Sequence, residues 1–450
     1  MNLETIDIAL IFVYFAVLLF VGWKSSRKQK NDDYLIAERK LGPWSTMATI
    51  NASKTGSILM IFVAMVYTWG ISAIWYFIGM SAGMLLFIPF AIRLKKYSNH
   101  KYYTLGDYFK ARYGKFAGGL ASLISAIIMF GFLVLNLVAG TKIFTFFTGW
   151  PFWICAVIMV IVVTAYILMG GFKAVVKTDF IQYIAMVGIM ILLMIVLFGN
   201  ITTVPVAEWN LLRADTVTLV GFFLLGIFFP FGMPELWQRV YASKDEKSLK
   251  KGFLWSIAIY VVVALLLGII AVIVKSKFPS ADPDLALIFG FQQLLPAGLL
   301  GLSVVLMFAA IMSSIDTYIF TCSSTVVQGF MRYKKKAAVS MMKKTILVLA
   351  LLGTILAIII QDLLIAGYIF ATFFIVLGVA AVATWINKKI RSSTLSTGLI
   401  FGFGGTIIFI ILGISKGEIQ PTVVIVGLLS TLVGIGIGWI VGIIRKLISK

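Results

Sequence analysis

The chain is 450 residues long, 61% hydrophobic and only 12% charged, with a formal net charge of +21 and a mean hydropathy of +1.05. Soluble domains carry about 45–50% apolar and about 25% charged residues, so this composition excludes a water-soluble enzyme and makes lipid the main solvent. The basic residues sit in short clusters between long apolar runs, as in cytoplasmic loops and not as on a nucleic-acid surface. Cys155 and Cys322 lie inside apolar runs and His100 is the single histidine, which leaves no disulfide framework and no zinc site.

At the N-terminus, Glu4 and Asp7 stand where a secretory leader would be basic, so the first apolar run reads as a retained span. Runs long enough to cross a bilayer fall at 6–23, 44–69, 71–92, 117–147, 150–169, 179–199, 216–236, 252–274, 297–330, 341–361, 363–386, 394–414 and 421–444. They predict about thirteen transmembrane helices, termed helices 0 to 12, and an all-α polytopic membrane protein. Alternating loops test this division. One set, with the C-terminus, holds 32 of the 38 Lys and Arg, the other holds five, and Lys54 lies inside a span. The N-terminus is therefore expected outside, the C-terminus in the cytoplasm, and the protein in the cell membrane.

Two helices are interrupted. Helix 1 contains Asn51-Ala52-Ser53-Lys54-Thr55-Gly56-Ser57, and helix 6 contains Phe229-Pro230-Phe231-Gly232-Met233-Pro234-Glu235, where each proline removes a backbone donor. Backbone opened at membrane depth survives only where it is buried or lines a polar cavity. The two breaks are five spans apart and so run in opposite directions, as an inverted repeat of five plus five helices requires, with a binding site at the breaks. The alternative is a pair of kinks absorbed by packing.

Intramembrane polar residues follow from the same logic. In helix 5, Asp179 is either a cap at the helix start or a functional carboxylate. In helix 8, Ser313, Asp316 and Thr317 share one face, with Ser314 beside it, and suit a small hard cation or a proton; interhelical hydrogen bonding is the alternative. Lys54 either snorkels to the inner surface or places its ammonium near Asp316. Glu235 precedes Arg239 by four residues and is expected to pair with it. Gly434, Gly438 and Gly442 in helix 12 read as a close-packing stripe. No strand surrounds the nearby glycines, so no nucleotide loop is expected.

The stretch Gly170-Gly171-Phe172-Lys173-Ala174-Val175-Val176-Lys177-Thr178-Asp179-Phe180-Ile181-Gln182 resembles the signature of the sodium/solute symporter family. Thr104-Leu105-Gly106-Asp107-Tyr108-Phe109, Arg112-Tyr113, the Phe231 to Arg239 run and Ala309 to Ser314 add to it. The resemblance implies a LeuT-like core of two inverted five-helix repeats, with one extra N-terminal and two extra C-terminal helices. The expected divisions are 1–43 for the N-terminal helix and loop, 44–386 for the core (44–199 and 216–386), and 387–450 for the last two helices.

What the resemblance implies for function is Na⁺-coupled symport of a small organic solute by alternating access, with no catalysis and no nucleotide. Na⁺ would sit at backbone carbonyls near Asn51 and Lys54, the carbonyl of Ala310, and the hydroxyls of Ser313 and Ser314. Asp179, Asp316 and Thr317 would form a second cation or proton site. Candidate solute contacts are Ser53, Thr55, Ser57, Phe228, Phe231 and Met233. The partners expected are the solute and the lipid bilayer, with no nucleic acid. Two rival readings are an H⁺-coupled or uncoupled transporter of the same fold and a non-transporting membrane sensor.

Overall fold

Apolar runs that must satisfy their own backbone in lipid fold as helix, and helix is what nearly all of the chain forms. The computed structural model describes residues 4–27, 29–296, 298–331, 335–361, 363–416 and 423–448. The first predicted span is α1 (Thr5–Ser26), followed by a short α2 (Asn31–Ile36). Predicted helix 1 is two pieces, α3 (Pro43–Thr55) and α4 (Ile58–Trp69), and helix 2 is α5 (Trp75–Ser98). Next come α6 (Leu105–Thr148) and α7 (Phe152–Leu197). Predicted helix 6 is again two pieces, α8 (Thr216–Gly232) and α9 (Pro234–Ala242), bent by 44°.

The chain continues through α10 (Glu246–Lys277), a short α11 (Ala286–Leu294) and α12 (Leu299–Ser324), which runs on into a π-helical turn. Then follow α13 (Lys335–Ile359), α14 (Leu363–Ile386), α15 (Ser392–Lys416) and α16 (Val423–Ile448). Among the described residues, ten helical stretches are long and apolar enough to cross a membrane, or eleven with the bent pair α8–α9.

This count is lower than the number of predicted segments because some neighbours run on through bends. The expected loop at 170–178 is helical, so α7 covers predicted helices 4 and 5. Its 46 residues would reach about 69 Å at ~1.5 Å per residue, far beyond the ~30 Å of a bilayer core. Gly171 divides it: its φ of 55° and ψ of −147° leave the helical region. A side chain there would be strained by that φ, and a Cβ would lie 2.5 Å from the Tyr34 ring.

Capping residues explain several starts. Asp215 accepts from the N–H groups of Val217 and Thr218 at the head of α8, which holds its carboxyl below the usual range, the Thr218 hydroxyl contributing most. Thr104 and Asp107 form a capping box that opens α6.

Burial separates centre from rim. In an apolar 18-residue stretch within Leu299–Met331, 89% of residues are buried, against 28% in such a stretch of α1 and 33% in one of α16. The α12 helix packs on α1, α3, α6 and α7, while α8 packs on α5 and α14. The α15 and α16 helices pair closely, with Gly434, Gly438 and Gly442 facing Phe401, Thr394 and Arg391.

Gly226 of α8 lies against α5, where a Cβ would meet Met80 N and Tyr76 O at 2.4 Å. Gly226→Val is therefore expected to cost about 1–3 kcal/mol through overpacking and to lower the melting temperature in detergent. Gly188→Val, where a Cβ would meet nothing within 4 Å, should leave the melting temperature nearly unchanged.

Candidate functional site

The helix 1 break is held open by neighbours. Gly56, at φ −35° and ψ −121°, separates α3 from α4. The Ser57 N–H donates to Asn136 Oδ1 at 2.8 Å, and the Tyr318 hydroxyl donates to the Ser53 carbonyl at 3.0 Å. Ser314 Oγ donates to the same carbonyl at 3.2 Å and lies 3.5 Å from that of Ala52. Ser313 Oγ donates to the Ala310 carbonyl at 2.8 Å and lies 3.2 Å from Ala52 O. A Cβ on Gly56 would come within 2.2 Å of Ser314 Oγ and 2.4 Å of Asn136 Oδ1. Only glycine permits this approach.

Five oxygens thus meet between α3 and α12: the carbonyls of Ala52, Ser53 and Ala310 and the hydroxyls of Ser313 and Ser314. Neutral oxygen ligands of this kind suit a hard monovalent cation. The helix 8 members are those expected, whereas the helix 1 carbonyls that meet them lie between the expected Asn51 and Lys54. Asn51 is used otherwise. Its carbonyl accepts from Thr55 Oγ1 at 2.6 Å, and its side chain bonds to Tyr183 and Ser256.

A second cluster lies where the signature sequence crosses α12. Asp179 Oδ2 accepts from the Thr49 hydroxyl and lies 3.4 Å from Arg239 Nη2. Arg239 also donates to Thr317 Oγ1 at 2.7 Å, to Thr49 Oγ1 at 3.1 Å and to the Glu235 carbonyl at 3.1 Å. Asp316 Oδ2 accepts from Tyr166 at 2.8 Å and lies 3.3 Å from Thr178 Oγ1. Asp179 Oδ1 and Asp316 Oδ1 are buried and make no hydrogen bond.

This cluster corrects one expectation and decides between two pairs of alternatives. The Glu235 carboxylate does not pair with Arg239, because Asp179, Thr317 and Thr49 on three other helices offer the guanidinium more acceptors than one carboxylate four residues away. Asp179 is no helix cap: the chain breaks at Gly171, eight residues earlier, and the carboxylate bonds across helices. Lys54 does not pair with Asp316. Its ammonium lies 3.8 Å from Met84 Sδ and 4.3 Å from the Tyr260 ring centre, turned toward α5 and α10. The sequence reading also missed Arg239 as the cation of this cluster; its position between Trp237-Gln238 and Val240-Tyr241-Ala242, just past the helix 6 break, was the available signal.

At the breaks lies a cavity of about 40 Å³ lined by Lys54, Ser57, Tyr76, Met233 and Tyr318, among others. It shares Ile58, Ile61, Tyr76, Phe132 and Phe229 with an apolar cavity of about 50 Å³. Ser57 and Met233 were expected here. Ser53 and Thr55 instead turn their hydroxyls back onto their own helix, and Phe231 packs against Phe87, Phe90 and Trp385. Phe228 does not line either cavity; its neighbour Phe229 does. Tyr76, Phe132 and Tyr318 carried no sequence signal, since aromatic residues are common in every span.

The chain matches the model of the sodium:solute symporter family over residues 34–387. It is 27% identical to the osmoregulated proline transporter OpuE of Bacillus subtilis, across 97% of this chain and 94% of that protein. It is 30% identical to sodium/proline symporter 2 of Staphylococcus saprophyticus, across 71% of this chain and 67% of the relative. Among solved structures it resembles a substrate-bound, outward-open Na⁺-coupled sialic acid symporter, with a TM-score of 0.80 at 19% identity, over 96% of this chain and 97% of that one. Mhp1, a nucleobase-cation-symport-1 transporter in a closed conformation, follows with 0.61 at 13% identity, over 90% and 93%. These likenesses show a shared LeuT-like fold.

Arg239→Gln leaves Asp179 buried without its cation, an arrangement expected to cost about 3–5 kcal/mol. Adding Asp179→Asn should recover part of that loss in thermal melts of the detergent-solubilised protein. Strictly additive destabilisation would show that the two side chains do not act as a pair.

Proposed function

The chain belongs to the sodium:solute symporter family, and from that premise we propose that Na⁺ binds between the helix 1 break and α12 while a small organic solute binds in the cavity at the two breaks. The protein is a secondary transporter working by alternating access. The observation that carries the cation assignment is the meeting of the Ala52, Ser53 and Ala310 carbonyls with the Ser313 and Ser314 hydroxyls. The hydroxyls donate to those carbonyls; rotating each O–H away presents oxygen lone pairs to an ion. A bound Na⁺ then ties α3 to α12.

Coupling requires that the ion and the solute strengthen each other's binding by the same factor. The geometry supports this, because Ser57, which lines the cavity, and Ser53, whose carbonyl would face the ion, lie on either side of one break. Arg239 links α9 to α3, α7 and α12, so the lower half of helix 6 is tied to the elements that hold the ion. The two orphan oxygens on Asp179 and Asp316 support a second cation or proton site at that cluster. The division into an inverted-repeat core at 44–386, placement in the cell membrane, and a cytoplasmic C-terminus complete the reading.

Uptake into proteoliposomes tests it. Solute accumulation is expected to stop when Na⁺ is replaced by choline, with or without a pH gradient; uptake driven by the pH gradient alone would assign the coupling to protons. Ser313→Ala should raise the half-saturating Na⁺ concentration about tenfold, equivalent to ~1.4 kcal/mol, with maximal uptake largely kept. An unchanged sodium dependence would remove α12 from the ion site.

A further inference from the structure

Lys54 is the one charged side chain among the residues lining the 40 Å³ cavity. It is only 6% exposed, and its neighbours are a thioether and the face of a tyrosine ring. Both are weak partners for an ammonium, and among the described residues no carboxylate lies within ion-pairing distance of it. Buried charges in native structures are paired, so an unpaired one requires an explanation. Glu235, just past the second break, is the carboxylate whose charge reaches Lys54, yet it does not line the cavity and its oxygens make no hydrogen bond to the ammonium.

A second feature points the same way. The twelve-residue helix α4 starts at Ile58, and both Ile58 and Ser57 line this cavity. The positive end of that helix dipole therefore faces the cavity that Lys54 lines, with the N–H groups of Ser57, Leu59 and Met60 already bonded to Asn136, Gly56 and Ser57. The adjoining cavity, walled by Ile61, Met65, Leu225 and Phe229, is apolar.

We propose that the solute is a small organic monocarboxylate, its carboxylate received by the Lys54 ammonium beside the positive end of α4, and its apolar body by Phe132 and Phe229. This rests on the transporter reading above. An amino acid fits less well, because its α-ammonium would enter beside Lys54 with no carboxylate in the cavity wall to meet it.

The lysine also makes ion binding conditional on the solute. Lys54 follows Ser53 directly in the chain, and the Ser53 carbonyl belongs to the oxygen cluster between α3 and α12. A Na⁺ there and the ammonium are neighbouring like charges in a medium that screens them weakly. The arriving carboxylate neutralises one of them and so strengthens binding of the other. Anion and sodium are coupled through the Lys54 side chain that lies between their sites.

Calorimetric titration of the purified full chain decides the matter. Without solute, Lys54→Met is expected to bind Na⁺ at least tenfold more tightly than the wild type, with choline chloride as the blank. In saturating NaCl, the wild type should bind cyclopentanecarboxylate at least tenfold more tightly than cyclopentanecarboxamide or L-proline. Lys54→Arg should keep that preference and Lys54→Met should lose it. Unchanged Na⁺ affinity in Lys54→Met overturns the proposal, as does equal or tighter binding of the amide or of proline. Binding of none of the three ring compounds in saturating NaCl overturns it as well. Absence of Na⁺ binding in both proteins counts instead against the transporter reading, so the two failures are distinguishable.

Discussion

In a low-dielectric interior an unpaired peptide carbonyl costs several kcal/mol, and the architecture of this protein is arranged around one place where such carbonyls are exposed. The carbonyls of Ala52 and Ser53 are freed where helix 1 breaks, and the hydroxyls of Ser313, Ser314 and Tyr318 come to them from α12. Asn136 of α6 secures the other side of the break through the Ser57 N–H. For these bonds to form, α12 must lie in the centre of the bundle, and its burial on all sides reflects that. The break is stable because α12 is there, and α12 carries hydroxyls in its buried face because the break is there.

The cluster around Arg239 extends this constraint toward the other interrupted helix. A guanidinium has five donors in a rigid fork, and here they reach acceptors on α3, α7, α9 and α12. These bonds hold the lower half of helix 6 in register with α3, α7 and α12. The signature sequence acquires a physical meaning in the same place. Gly171 provides the bend that no other residue could adopt against Tyr34, and the following turns present Thr178, Asp179 and Gln182 to partners on α12, α3 and α1.

Reading the sequence succeeded where a single helix carries the information. Apolar runs marked the helices, and the prolines and small polar residues marked both breaks. It failed where the partner lay elsewhere in the chain. Glu235 and Arg239 have a favourable helical spacing, yet Arg239 turns to Asp179, sixty residues away in sequence. Lys54 and Asp316 are opposite charges inside spans whose meeting the sequence left open, and they point to different neighbours. Phe228 and Phe229 differ in role because a helix rotates about 100° per residue, and only the packing of α8 on α5 and α14 settles which one meets the cavity.

The amino-acid sequence by itself determined that this chain lives in lipid, where its helices run, and where two of them must open, because hydropathy, proline chemistry and backbone satisfaction are properties of short segments. Which carbonyls meet which hydroxyls, which carboxylate holds Arg239, and which side chains enclose the cavity were decided only by the tertiary structure. Those outcomes depend on the relative rotation and depth of helices brought together from distant parts of the chain, and no local pattern encodes a rotation between two helices.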